Sequence, residues 1–171
     1  MVRKELYRGS DVVGWLLSEW RTRAVLPYVA GRLMDLACGD NRLVRKYGSG
    51  VGVDIVPYRN VDTLCPDFSD LPFGDHEFDT VTIVAALNYF DDPTAVLREV
   101  GRVMRPDGTL LVTFLNQNVS KLWHRIKERD ITPRPAFSEA ELAGCVQSAG
   151  LRIVRTRKFM FGVNVIYFIR K

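Results

Sequence analysis

One segment limits the possible folds of this 171-residue chain more than any other: an apolar stretch that runs straight into a tight turn of small residues, residues 33–41. The stretch reads as a buried strand carrying Asp35, and a helical pattern begins directly after the turn. A second short strand, residues 51–53, ends in Asp54. Such a turn and helix N-terminus let backbone N–H groups approach a ligand, and the second carboxylate can accept hydrogen bonds from ribose hydroxyls. The layout therefore fits a nucleotide-type ligand.

Length and composition predict a single soluble domain. The chain has 47% hydrophobic and 26% charged residues, and its longest apolar runs are strand-sized, far short of a membrane span. No apolar segment follows Met1 closely, so we expect no signal peptide. The three cysteines, Cys38, Cys65 and Cys145, match neither a disulfide framework nor a zinc site, which favours a reducing, cytoplasmic location.

The net charge of +4 is unevenly distributed along the chain. Residues 121–171 hold 11 Lys/Arg and 4 Asp/Glu, whereas residues 1–120 hold 13 and 16. A basic C-terminal third can attract an anionic acceptor, nucleic acid or a membrane surface. A solvated face of ordinary strands and helices explains the same charges, and we favour that interpretation.

Apolar periodicity predicts alternating strands and helices. The predicted helices cover residues 11–26, 93–104, 120–129 and 138–150, capped by Asp92 before the second and by a Ser138/Glu141 capping box in the last. The predicted strands cover residues 32–37, 50–55, 60–64, 78–85, 109–114, 151–159 and 163–169, with a turn at residues 106–108. This order predicts an α/β fold, a doubly wound parallel sheet with one antiparallel edge strand. An exposed edge at residues 163–169 can pair between subunits, so an oligomer is a further expectation.

Four segments, in order, resemble the motifs of one enzyme family: residues 33–39 (LMDLACG), 53–55 (VDI), 67–79 (DFSDLPFGDHEFD) and 102–110 (RVMRPDGTL). Through them the chain resembles a class I S-adenosylmethionine-dependent methyltransferase of the small type-11 form, over roughly residues 30–171. The resemblance implies a Rossmann-like, seven-stranded sheet of order 3-2-1-4-5-7-6, with strand 7 antiparallel. It also divides the single domain, residues 1–171, into an N-terminal helical segment (1–29), a cofactor-binding half (30–114) and an acceptor-side half with a C-terminal hairpin (115–171).

The resemblance implies S-adenosylmethionine as the cofactor, with S-adenosylhomocysteine as the product. Asp35 would face the methionine portion, Asp54 would hold the ribose, and Asp67 would accept from the adenine amino group. Phe68 would add a backbone N–H and an apolar wall. The complete set of implied cofactor-binding residues is Asp35, Ala37, Cys38, Gly39, Asp54, Ile55, Asp67, Phe68, Val84, Ala85 and Asn88.

The turn departs from the family pattern, which is often Gly-x-Gly-x-Gly. Its three glycine positions read Ala37, Gly39 and Asn41. Alanine still lets a ligand approach closely, and asparagine adopts positive φ better than most residues. Asn41 also adds a side chain where the family often has none, and the sequence leaves open whether that side chain weakens cofactor binding.

The expected reaction is a direct, in-line methyl transfer to a small or modest-sized acceptor, driven by positioning. A base is required only if the acceptor must lose a proton, and Asn88, Tyr89 and His124 are weak candidates for a catalytic role. No metal-ligand set is present in the sequence, since Asp91-Asp92 reads as a turn and helix cap. The expected acceptor walls are the N-terminal helix with Trp15 and Trp20, and residues 115–136 with a possible lid at Leu122, Trp123 and Ile126.

Other functions remain open at this stage. A non-catalytic cofactor-binding homologue that regulates a partner is consistent with Asn41 and the small size. A nucleic-acid methyltransferase is suggested by the basic C-terminal third, but residues 88–93 (NYFDDP) lack the Pro-Pro-aromatic pattern usual for enzymes that methylate amino groups of bases. A nicotinamide-dependent dehydrogenase is disfavoured because no Gly-x-Gly-x-x-Gly follows the first strand.

Overall fold

The computed structural model describes residues 12–116 and 137–171. The helices are α1 (Val12–Val25), α2 (Arg42–Tyr47), α3 (Pro93–Val103) and α4 (Glu139–Ser148), with 3-10 turns at Leu26–Tyr28 and Leu87–Tyr89. The strands are β1 (Leu33–Leu36), β2 (Val51–Asp54), β3 (Thr63–Leu64), β4 (Phe78–Val84), β5 (Met104–Leu115), β6 (Arg152–Phe159) and β7 (Asn164–Arg170). Apart from the start of β5, these bounds lie within a few residues of the predicted ones, and the predicted helix 120–129 lies outside the described residues.

The seven strands form one sheet of order β3-β2-β1-β4-β5-β7-β6, which confirms the predicted doubly wound fold. Strands β1 to β5 pair in parallel, and β7 runs antiparallel to both β5 and β6. The prediction that residues 163–169 form an exposed edge was wrong. The strand in this region, β7, pairs with β5 on one side and with β6 on the other, so β6 is the edge strand. Exposed arginine and lysine side chains on β6 are a common protection against edge-to-edge pairing, so the edge gives no support to the expected oligomer.

The turn predicted at residues 106–108 lies inside β5. Phe78 of β4 pairs with Met104, and the register resumes only with Thr80 opposite Thr109. Between these two pairs β4 advances by two residues and β5 by five, so residues 105–108 form a bulge in β5. The prediction placed the start of the strand after the turn because Pro-Asp-Gly is a turn signal that sequence alone cannot distinguish from a bulge.

Helices cover both faces of the sheet, as alternation along the strands requires. Successive residues of β1 point to opposite faces, so Leu33 belongs to one apolar cluster and Met34 to the other. The side chains of α3 and α4 that pack on the Met34 face are Val96, Leu97, Val100, Leu142 and Val146. Those of α1 and α2 that pack on the Leu33 face are Ala24, Val25, Leu43 and Val44.

Both predicted helix caps are confirmed. The Asp92 carboxylate accepts a hydrogen bond from the Ala95 N–H (2.9 Å), and Pro93 occupies the first turn of α3. The capping box of Ser138 and Glu141 opens α4. No helix within residues 12–116 and 137–171 has the length and apolarity needed to cross a membrane.

Candidate functional site

The turn after β1 contains three residues with left-handed backbone at the positions where the family often has glycine. Ala37, Gly39 and Asn41 have φ angles of 58°, 55° and 56°. The Asn41 N–H closes the turn on the Cys38 carbonyl at 3.0 Å. Because α2 has only 6 residues, a ligand contact here depends on the backbone of the turn and not on a long helix dipole.

A cleft of about 290 Å³ opens beside this turn at the carboxyl ends of β1 and β4. Residues of the turn and of the start of α2 line it together with residues of α1. The residues that line it are Gly14, Trp15, Ser18, Arg21, Thr22, Asp35, Ala37, Cys38, Gly39, Asp40, Arg42, Leu43, Tyr58, Val84 and Ala85. Its volume lies at the lower end of the usual range for ligand sites, roughly 300–1,000 Å³.

Two acidic residues line the cleft: Asp40, which is exposed, and Asp35, which is only 4% exposed. Its Oδ1 accepts a hydrogen bond from the Thr82 hydroxyl at 2.6 Å. Within the described residues no lysine, arginine or histidine forms an ion pair with it. Burial, together with the nearby charge of Asp54 and against the effect of the Thr82 hydrogen bond, raises the pKa of Asp35 to about 7. A buried acid of this kind is suited to a cationic ligand group.

Asp54 lies behind the turn, and its side chain is not among those that line the cleft. It is 6% exposed, and its two oxygens accept hydrogen bonds from the N–H groups of Gly39 (2.8 Å) and Val56 (2.9 Å). In this arrangement Asp54 supports the conformation of the turn. The neighbouring Ile55 is 37% exposed and also lies off the cleft wall.

The side chain that Asn41 adds to the turn points away from the cleft. Asn41 is 1% exposed and is absent from the cleft wall. Its Nδ2 donates to the Asn60 carbonyl (2.8 Å) and to the Asp62 carboxylate (2.7 Å), and its side chain packs on Gly52. Asn41 therefore joins the turn to β2 and the loop after it, and leaves the cleft open.

The loop that would approach adenine has hydrogen bonds within it and packs against Phe90. Asp67 is exposed, and hydrogen bonds from the Ser69 hydroxyl (2.7 Å) and N–H (2.8 Å) lower its pKa. Phe68 is buried and packs edge-on against Phe90, with the ring centroids 5.2 Å apart. Neither side chain lines the cleft, so their predicted roles toward adenine stay predictions.

Of the candidate residues at the end of β4 and on the acceptor side, some line the cleft and others do not. Val84 and Ala85 line the cleft, whereas the half-buried Asn88 does not. Tyr89 is 43% exposed, and desolvation raises its pKa against the opposing effect of nearby Arg21, so its hydroxyl stays protonated near neutral pH. Trp15 lines the cleft mouth, and Trp20 is 47% exposed away from it. The remaining candidates, His124 and the lid residues Leu122, Trp123 and Ile126, lie outside the described residues.

A methyltransferase-domain family model matches residues 34–112, which include β1 to β4 and most of β5. The chain is 31% identical over 136 residues to a demethylmenaquinone methyltransferase of Mycolicibacterium vanbaalenii, a match that covers 66% of the chain and 60% of that protein. Residues 34–112 therefore form a methyltransferase domain, and the chain resembles the class I S-adenosylmethionine-dependent methyltransferases in its motifs and its sheet order. Similarity to this family of enzymes implies S-adenosylmethionine as the cofactor.

Further comparisons agree with this assignment of the methyltransferase. A demethylmenaquinone methyltransferase of Paenarthrobacter aurescens is 29% identical over 138 residues, covering 68% of the chain and 54% of that protein. The chain thus spans little more than half the length of these two curated relatives. A solved Thermotoga maritima protein described as a possible histamine N-methyltransferase shares the fold, with a TM-score of 0.76 at 21% identity, covering 94% of this chain and 91% of that one.

Sequence reasoning missed most of the α1 wall of the methyltransferase cleft. Ser18, Arg21 and Thr22 line the cleft but were not among the predicted site residues. One signal was available: Arg21 follows Leu17 by four residues and precedes Ala24 by three, so it lies on the inward stripe of α1. A charged residue on such a stripe is a reason to suspect a ligand or a buried partner.

Cys38 is the thiol nearest to the acidic groups of the cleft. Burial, with the charges of Asp35, Asp54 and Asp62 adding to it, raises the pKa of the Cys38 thiol, so it is not a thiolate nucleophile. Among residues 12–116 and 137–171, no cluster of three or more His, Cys, Asp or Glu side chains could hold a metal ion.

Arg102 on α3 holds the loop that carries Asp67. Its guanidinium donates to Glu99 (2.6 Å) and to the Phe73 carbonyl (2.9 Å), and Glu99 in turn accepts from the Leu71 N–H (2.9 Å). We expect R102K to lower the free energy of unfolding by about 1–3 kcal/mol, because lysine cannot reproduce the planar fork of donors. Urea unfolding measures this, with R98K at an exposed position of the same helix as the control. Equal effects of the two substitutions would contradict the prediction.

Proposed function

We propose that this methyltransferase transfers a methyl group from S-adenosylmethionine to a small-molecule acceptor. The observation that carries the proposal is Asp35, a buried acid that lines the cleft and has no cationic partner among the described residues. The methionine portion of S-adenosylmethionine brings an ammonium and a sulfonium, which are the charges that such an acid stabilises. A neutral ligand would leave the cost of burying Asp35 uncompensated.

The surroundings of Asp35 fit the rest of that cofactor. The backbone of Ala37 to Gly39 borders the cleft, and a Cβ added at Gly39 would meet no atom within 4 Å. In the proposal this open space takes the ligand backbone, Asp54 accepts from the ribose hydroxyls in addition to its two N–H donors, and the Asp67–Phe68 loop approaches the adenine. Each carboxylate oxygen can accept more than one hydrogen bond, so Asp54 can fulfil both roles.

The bound cofactor would supply an electrophilic methyl group on a sulfonium. The contribution of the chain is to hold that group and the acceptor in line and to exclude water, which can account for roughly 7–11 kcal/mol of barrier lowering in the best cases. Asp35 and the turn fix the methionine side, while Val84, Ala85 and Trp15 provide a largely apolar surface toward the acceptor. No general base is assigned, because Tyr89 and Cys38 both remain protonated near neutral pH.

The proposed acceptor is of the quinone type. Two relatives of the chain bear the name demethylmenaquinone methyltransferase, and a planar acceptor suits a cleft mouth with an exposed indole, Trp15, which is 45% exposed. Aromatic side chains bind flat rings well through stacking and apolar burial. The test is transfer of labelled methyl groups to a reduced short-chain demethylmenaquinone analogue, with histamine, RNA and a protein extract as alternative acceptors. Label only in RNA or protein, or in none of them despite cofactor binding, would overturn the proposal.

Cofactor binding has its own test, which is independent of the acceptor. We expect S-adenosylmethionine and S-adenosylhomocysteine to raise the unfolding temperature, and NAD to leave it unchanged. A ligand at 100 times its dissociation constant should add about 2.7 kcal/mol to the free energy of unfolding. A response to NAD and to neither adenosyl ligand would contradict the proposal.

A further inference from the structure

The α1 wall of the cleft carries a cation whose charge has no counterpart nearby. Arg21 lines the cleft and is half-buried. Its Nε donates to the Asn164 side-chain oxygen at 3.2 Å, which is a neutral acceptor. In the described part of the chain no carboxylate forms an ion pair with Arg21, and burial lowers its pKa, with nearby Tyr89 opposing that effect. A guanidinium held in this way has donors left for a ligand.

The position of Arg21 is fixed from two directions. On its own helix, the 8%-exposed Glu19 forms ion pairs with Lys46 of α2 and with Arg23 at 2.9 Å. On the sheet, Asn164 at the start of β7 is fully buried and is 143 positions away from Arg21 in sequence. The helix and the sheet thus hold the guanidinium at the cleft, and little ordering remains to be done when a ligand arrives.

The cleft is therefore bipolar. Asp35 shares the β1 face of Leu33, which is the face that α1 covers, so the acid lies on the sheet side and Arg21 on the helix side. The two groups form no ion pair with each other. The other cation at the wall, Arg42, is within 3.5 Å of the Asp40 carboxylate and lies over the Trp15 ring, 5.7 Å from its centroid.

We propose that Arg21 binds the α-carboxylate of the cofactor's methionine portion, opposite Asp35, which takes the α-ammonium. An amino acid head carries both charges on one carbon, and it is the part of the cofactor that matches an acid and a base on facing walls of one cleft. The inference rests on the proposed function, since it concerns the same ligand. It makes Arg21 a specificity-determining residue for cofactors that retain the carboxylate.

The test compares two ligands that differ only in that group: S-adenosylmethionine and its decarboxylated form, which keeps the sulfonium and the amine. Affinities are measured by titration calorimetry for wild type, R21Q, R21K and R98Q. We expect R21Q to weaken S-adenosylmethionine by about 10- to 100-fold, the usual value of a charge-assisted hydrogen bond, and to leave the decarboxylated ligand unchanged. R21K should retain part of the affinity, and R98Q, at an exposed position of α3 that does not line the cleft, should retain all of it.

Each other outcome overturns the inference in a recognisable way. Equal weakening of both ligands by R21Q would assign Arg21 a merely structural role. Unchanged cofactor affinity with a raised KM for the acceptor would assign it to the acceptor. Wild-type protein that binds both ligands equally would exclude a carboxylate contact without any variant, so the test survives if R21Q does not fold. Wild-type protein that binds neither ligand would overturn the proposed function together with the inference.

Discussion

Replacing Asp35 with asparagine is expected to remove most of the affinity for S-adenosylmethionine and to abolish the contribution of Asp35 to the pH dependence of stability. The affinity falls by about 10- to 100-fold, because the amide offers no charge to the cofactor's cationic groups. In the ligand-free protein the same change relieves the burial of a carboxylate that has no cationic partner within the described residues. One substitution thus weakens function while it removes a cost of folding.

The sign of the pH effect follows from the raised pKa of Asp35, about 7 in the folded protein against 3.8 for a free side chain. Between these values the folded protein keeps its proton and the unfolded chain has lost it, so stability falls as the pH rises through this window. A slope of about 1.4 kcal/mol per pH unit gives a total of about 4 kcal/mol between pH 4 and pH 7. Below pH 4 and above about pH 8 this contribution is constant.

The measurement is urea unfolding of wild type, D35N and D70N from pH 4 to pH 8, with the exposed Asp70 as the matched carboxylate control. The stability of D35N minus that of wild type should grow with pH, whereas D70N should follow the wild type. In calorimetry, S-adenosylmethionine should bind wild type about tenfold less tightly at pH 6 than at pH 8, because the protonated acid must first be ionised. A pH-independent difference between D35N and wild type would mean that Asp35 is already ionised in the fold.

The fold was predictable because each element carries its own local signal. The buried apolar run of β4, the proline after Asp92 and the Ser138 capping box each mark an element without reference to the rest of the chain. The position of β7 inside the sheet was different. It followed only from the order 3-2-1-4-5-7-6 that the family resemblance implied, because its pairing with β5 and β6 is a long-range contact that local pattern cannot report.

The candidate site likewise contains residues that local sequence could predict and residues that it could not. Asp35 and the turn from Ala37 to Gly39 were predicted correctly as cleft residues, because strand, turn and helix are contiguous in sequence. Arg21 was missed because the docking of α1 depends on contacts with β7, at the other end of the chain. The sequence left the direction of the Asn41 side chain open for a related reason: its partners lie on the loop after β2, and nothing in the turn itself reveals them.

The second prediction with a large expected effect concerns Asn41, where two substitutions separate the side chain from the backbone. N41G keeps the left-handed φ of 56° but loses both hydrogen bonds of the amide, so we expect a loss of about 1–3 kcal/mol in the free energy of unfolding. N41A loses the same bonds and adds the strain of a left-handed alanine, about 1 kcal/mol more. Because Asn41 is absent from the cleft wall, neither variant should tighten cofactor binding. A stabilised N41G with higher cofactor affinity would show instead that the Asn41 side chain hinders the ligand.

A double-mutant cycle with Gly52 tests the packing that this prediction assumes. The Gly52 N–H and the Asn41 amide donate to the same oxygen of Asp62, at 2.8 and 2.7 Å, and a Cβ at Gly52 would overlap the Asn41 side chain. G52A alone should therefore cost about 1–3 kcal/mol, since the amide must move away from Asp62. In the N41G background the same change meets an empty space and should cost less, with an interaction energy of about 1–2 kcal/mol.

G144A on α4, where a Cβ meets no atom within 4 Å, controls for the general effect of replacing glycine, which in a helix should be stabilising. Additive costs of G52A and N41G would show that the Asn41 amide does not pack on Gly52, and the account of how the turn is held to β2 would then be wrong.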